Sequence, residues 1–196
     1  MVNLIVNEIV ETLKADLGFV DRITGLVKAA QVSDAEGNVK TLPIAYNKDV
    51  CVCSQSELFD LCPDSTKVSI IYFEDKGTTV TACENNSIYF NSSFTLVCWF
   101  NFKKIGCQTD TSLIAANILK YLPGSMGNVG NCLAVFLNVQ GQQANDGGVF
   151  SKYSYVEEIS QYITYPYGYV ALDLSADFHV RKSCVEDLTA CEAACL

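Results

Sequence analysis

His179, the one histidine, and the ten cysteines are the side chains from which a reaction or a metal site would have to be built. Ser-His-Asp and Cys-His arrangements both need an imidazole to take the proton of the nucleophile, so His179 is the only candidate base. It falls on the polar side of an alternating stretch, with Asp177 and Arg181, which is the pattern of a solvated surface histidine. No G-x-S-x-G, H-E-x-x-H, Walker loop or G-x-G-x-x-G occurs. The expectation is a protein that is not an enzyme, with no catalytic, cofactor-binding or metal-binding residues and no cofactor.

The cysteines are Cys51, Cys53, Cys62, Cys83, Cys98, Cys107, Cys132, Cys184, Cys191 and Cys195. In a secreted protein an even count suggests disulfides. Met1 to Leu17 carries Asn3, Asn7, Glu8, Glu11 and Lys14 throughout, unlike a secretory signal, so a reducing compartment is expected and the thiols read as small buried hydrophobes. The Asn-x-Ser sequons at Asn85 and Asn91 are discounted on the same ground. Structural zinc takes four thiolate or imidazole ligands, commonly in C-x2-C pairs. Cys51, Cys53 and Cys62 form one loose group and Cys184, Cys191 and Cys195 another, each one ligand short. A small zinc-binding regulatory or binding module, holding metal with Cys51, Cys53, Cys62 and one further group, is therefore the alternative function. The second group repeats at helical intervals, which fits packing of the C-terminal tail.

The elements that would position these residues can be read from periodicity. Hydrophobic residues are 49% of the chain and charged residues 18%, far from the composition of disordered proteins. At 196 residues a fold can bury roughly 70% of the surface of the unfolded chain, enough for a core without staples. No apolar run reaches the roughly 18 residues of a helical membrane span, so no membrane association is expected. The net charge of −9 and the lack of a basic run argue against nucleic-acid binding, whose affinity comes largely from Lys and Arg neutralising phosphates.

Val2, Ile5, Val6, Ile9, Val10, Leu13 and Leu17 predict an amphipathic N-terminal helix, with Asn3 as a possible cap and Gly18 as its stop. Ile23–Val32 and Val39–Tyr46 flank a turn-rich segment and predict a hairpin, with Pro43 on an edge strand or at a bulge. Residues 47–66 read as a long Cys-containing loop. Val68–Phe73 suits a strand covered on both faces, after which Asp75-Lys76-Gly77 predicts a turn into Thr78–Cys83. From Ser87 to Phe102 apolar and polar residues alternate, giving one long strand or two meeting near Asn91–Ser93, with Trp99 on the second face, either exposed or covered by a helix.

Thr109–Ser112 offers N-caps for a helix striped by Leu113, Ile114, Asn117, Ile118, Tyr121 and Leu122 and stopped by Pro123-Gly124. Leu133–Val139 predicts a buried strand, and Gln140–Gly148 a flexible loop free to reach a neighbouring molecule. Ser151–Tyr165 leans to helix through a Ser154–Glu157 capping box. Tyr169–Arg181 alternates as a long half-buried antiparallel strand, and the tail after Lys182 reads as a short helix. The sum is a single domain over residues 1–196 of α+β class, a mixed, mainly antiparallel sheet with two or three helices packed on one face.

That element order, together with FVDRITGLVK at Phe19–Lys28, VSIIYFED at Val68–Asp75 and LVCWFNFKKI at Leu96–Ile105, resembles the tail-terminator and head-to-tail connector proteins of tailed bacteriophages, nearest the neck ring proteins of crAss-like phages. The loop after Asn47 and the insertion between Leu122 and Leu133 depart from that pattern and leave the position along the neck open. The resemblance implies a structural virion protein, assembled in the host cytoplasm. It implies a homo-oligomeric ring around the DNA channel, with the portal, other neck rings or tail proteins as neighbours, through which DNA passes without specific binding.

Overall fold

The structure, a computed structural model, describes residues 1–33, 37–46, 61–106, 110–130, 132–143, 148–154 and 160–185. It is an α+β fold. Helix α1 (Val2–Asp16) buries Ile5, Val6, Ile9, Val10 and Leu13, the stripe expected from the sequence. Its cap is Met1 rather than Asn3, and it ends at Leu17, whose N–H donates to Leu13 O at 2.9 Å, one residue before Gly18.

Strands β1 (Arg22–Ser33) and β2 (Val39–Ala45) form the antiparallel hairpin, and β2 with Pro43 is the outer strand, where a missing N–H does least harm. Strand β3 (Ser69–Cys83) follows, then β4 (Ser87–Asn101), a helical turn α2 (Phe102–Ile105), helix α3 (Thr111–Tyr121), the two-residue β5 (Ser125–Met126), β6 (Cys132–Gln142) and β7 (Tyr167–Arg181). The seven strands lie in the order β2-β1-β3-β4-β7-β6-β5, antiparallel except for β1 beside β3.

Helices α1 and α3 cover one face of the sheet, packing on Phe73, Phe94, Leu96, Phe100, Val170, Leu172 and Leu174. Asp110 caps α3 by accepting from the Ser112 N–H at 2.8 Å, and the helix buries Ile114, Ala115 and Ile118 while Leu113 stays exposed. The other face carries a second core of Tyr72, Val97, Trp99, Tyr169 and Ala171. Leu61, Cys62, Val149, Phe150, Tyr153 and Tyr162 close it, and among the described residues no α-helix lies in this cover. Trp99 is thus buried, under turns and 3-10 segments where the described residues cover it. Its ring stacks on Tyr167 at 5.4 Å and its indole N–H donates to the Tyr162 carbonyl at 2.5 Å, from a 3-10 turn at Ser160–Ile163.

Several local expectations are corrected. Asp75-Lys76-Gly77 is not a turn: the register shifts there by a bulge, Gly77 takes φ 112°, and β3 runs on to Cys83. Of the two alternatives for the alternating stretch from Ser87, the single long strand is the one found, Ser87–Asn101. The strand expected to end at Val139 continues to Gln142, so the start of the predicted loop is ladder, and Phe136 and Val139 are exposed rather than buried. The Ser154 hydroxyl accepts from the Thr41 N–H at 2.7 Å and holds this segment against β2, while residues 155–159 of the predicted helix lie outside the described residues. Residues 61–66 are turn and coil, while residues 47–60 of the long loop, Glu157 of the capping box and the tail from residue 186 lie outside the described residues. Among the described residues no helix is long and apolar enough to cross a membrane.

Candidate functional site

The polar side of the sheet is built in cross-strand rows. Glu74 of β3, Thr95 of β4 and Asp173 of β7 share one row. The buried Glu74 accepts from the Tyr153 hydroxyl at 2.8 Å and pairs with Lys152 at 2.7 Å. Asp173 accepts from Lys76 Nζ at 2.6 Å, Thr95 Oγ1 at 2.8 Å and Gln143 Nε2 at 2.9 Å. Partial burial works against its ionisation, but these hydrogen bonds and the Lys76 charge outweigh it and hold the carboxyl below the usual carboxylate range. At neutral pH Asp173 has no proton to give, and its acceptor capacity ties three strands and the segment after β6 together. Farther along, Asp177 bridges Asn91 and Asn138 at 2.7 and 3.1 Å, and Ser175 accepts from Gln140 at 2.7 Å. The sequon asparagine Asn91 is therefore part of this network.

His179 lies beyond these rows, half-buried and stacked on Tyr89 with centroids 5.2 Å apart. The two line a shallow groove with Thr81, Ala134, Phe136 and Asp177. The Tyr89 hydroxyl donates to Glu84 at 3.3 Å, and the negative charge of Glu84 pushes the phenol pKa up, so Tyr89 is protonated and engaged. The groove thus sets the imidazole against an aromatic face, with hydroxyls from Thr81 and Tyr89 along it.

The cysteines do not converge among the described residues. Cys98 is fully buried, and burial pushes its thiol far up, away from the nucleophilic thiolate. Cys62 is buried on the opposite face, and Cys83 and Cys184 are exposed. Cys51, Cys53, Cys107, Cys191 and Cys195 lie outside the described residues, and with them most of both proposed thiolate groups. Among the described residues no three His, Cys, Asp or Glu side chains gather as metal ligands.

What sequence reasoning missed is a pair of strand edges. β1 pairs with β3 only as far as Val27 against Glu74, and from Asp75 to Cys83 every residue of β3 is exposed. On the opposite side of the sheet β5 covers only Val135 and Phe136, leaving Asn138–Gln142 of β6 exposed. Each segment is paired on its inner side, Thr78–Cys83 with β4 and Asn138–Gln142 with β7, and among the described residues no strand pairs with its outer side. Val80, 62% exposed, stands on the first edge and Val139, 48% exposed, on the second. The unbroken Thr-Thr-Val-Thr run at Thr78–Thr81, strongly β-forming, was the available signal that β3 continues. No family model matches the chain, and no curated protein is similar to it.

Proposed function

We propose that this chain is a structural virion protein of a tailed bacteriophage, forming a homo-oligomeric ring around the DNA channel at the neck or head–tail junction. The observation that carries the reading is the pair of exposed, unpaired edges on opposite sides of one sheet. Unpaired edges template further pairing; each edge here holds one bulge, between Val80 and Ala82 and between Val139 and Gly141, but neither Thr78–Cys83 nor Asn138–Gln142 carries the charges or prolines that commonly blunt an edge. Two different edges used head to tail make a heterologous contact, the kind that generates a ring when the rotation closes. The portal, other neck rings or tail proteins would stack above and below. The charge of −9 suits a channel that DNA must slide through, because it offers few cations to hold phosphates.

Light scattering over a concentration series, with negative-stain imaging of the same sample, tests the reading. A closed ring of fixed mass and open centre is expected. A chain that stays monomeric at every concentration and carries stoichiometric zinc would replace it with the metal-binding module, and a strongly positive ring lumen would remove the DNA-channel role.

A further inference from the structure

From the strand directions and the side on which each edge valine stands, we infer that the interface between copies is a sheet junction. The free segment of β3, Thr78–Cys83, pairs antiparallel with Asn138–Gln142 of β6 in the next copy. The inference rests on the ring reading and specifies how that ring is joined.

Direction is the first support. β3 is antiparallel to β4, β4 to β7 and β7 to β6, so the two outer strands of this four-stranded block run opposite ways. Thr78 is level with Leu137 and Val139 with Asp75 across the block, so a second copy displaced along the strands brings Thr78–Cys83 beside Asn138–Gln142 and continues the sheet with an antiparallel step, whereas a parallel junction would break the alternation.

The orientation of the backbone is the second. Residues opposite each other in an antiparallel ladder alternate between pairs that exchange hydrogen bonds and closer pairs whose N–H and C=O point outward. The Asn101 N–H donates to Val68 O and the Glu84 N–H to Ser87 O, so the odd-numbered residues of β4 exchange hydrogen bonds with β3; Thr78 opposite Ser92 and Val80 opposite Phe90 are then the closer pairs, and their backbone groups face the free side. On β6 the Leu137 N–H donates outward to Gly124 O at 3.1 Å, and Val139, two residues on, presents its groups beyond the reach of β5. Both edges thus turn donors and acceptors outward at the valine positions, where among the described residues no strand meets them.

The valines themselves are the third. Val80 opposes Phe90, and Val139 opposes Leu174, which opposes Phe94 on the strand that carries Phe90. Phe90 and Phe94 are four residues apart on β4, so all of these side chains, Val80 and Val139 among them, share the helix-covered face. In an antiparallel junction the two exposed β-branched side chains come together on one face, as cross-strand pairs that stabilise sheets do.

The test uses the full-length chain and charge variants at the two exposed valines. Wild type is expected to run as a closed oligomer, and Val80→Lys and Val139→Lys each to reduce the mass to that of a single chain, with far-UV dichroism unchanged and a cooperative thermal transition kept at a lower midpoint, since the stabilisation from assembly is lost. Because the junction is heterologous, an equimolar mixture of the two variants joins through the one intact edge of each and stops at a dimer. Val80→Lys combined with Val139→Glu in one chain restores the large assembly. If wild type is a ring and both lysine variants keep its mass, the sheet junction is overturned and the ring reading survives. If wild type forms an open fibre that Val80→Lys dissolves, the junction stands and the ring is lost. A monomeric wild type removes both.

Discussion

Trp99 and Asp173 show how single side chains fasten the irregular segments of this molecule to its sheet. Trp99 is the only tryptophan, and it is 1% exposed with its N–H bonded to the Tyr162 carbonyl. Its emission is expected to be blue-shifted and poorly quenched by iodide in the native state and to red-shift on unfolding. Trp99→Phe removes the donor and strands the carbonyl, which costs about 1–3 kcal/mol, read as a lower urea midpoint. Asp173 makes a pH-dependent contribution. Its carboxyl is lowered by its donors despite burial, so the stability it supplies is fully present above the unfolded value of about 4 and is lost as pH falls through the folded value. Asp173→Asn is expected to lower the thermal midpoint at pH 7 and to flatten its decline on acidification, whereas an unchanged acid limb would place the sensitive carboxylates elsewhere.

At the scale of elements, the junction of β4, α2 and β7 is closely packed by aromatic rings. A Cβ added at Gly168 would meet Phe100 Cε2 at 2.9 Å and Phe102 Cε2 at 3.1 Å, two rings packed edge to face at 4.9 Å in the main core. Gly168→Ala is expected to cost about 1–3 kcal/mol by overpacking, and Phe102→Leu in the same chain to recover part of it, measured by denaturant unfolding. The strength of a sequence pattern decided which elements were legible. The stripe of α1, the alternation of β4 and β7 and the Asp110 cap announce themselves because one face of each is buried against one partner. β3 was half legible. Its first six residues are buried on both faces and mostly apolar, while its last nine are exposed, and a bulge containing a glycine has the same composition as a turn. The cover over Trp99 could not be read at all, because turns that fill a face with Phe150, Tyr153 and Tyr162 have no periodicity to detect. The same limit hid the candidate site: an unpaired edge is a property of what lies beside a strand, and no spacing within the strand records it.

Across the whole molecule the sheet has a base and an extension, and they differ in what protects them. At the base, Ile70–Phe73, Leu96–Phe100 and Val170–Leu172 are buried on both faces, and β3 and β4 there have paired strands on both sides. In the extension, β3 beyond Glu74 has one strand neighbour and full exposure. Exchange of a backbone amide requires its hydrogen bond to open, and opening is easiest where few buried contacts are lost. Amide exchange on an unassembled form such as Val80→Lys is therefore expected to be slowest at the base, through near-global unfolding, and fastest at the outward-facing amides near Thr78. Assembly through the β3 and β6 edges would change only part of this order. Protection should rise at residues 78–83 and 138–142 in the wild-type oligomer and stay level at the base. A gain confined to α1 or β2 would mean that copies meet through the helix-covered face or the β2 edge, and the exchange map would then locate the interface that replaces the proposed one.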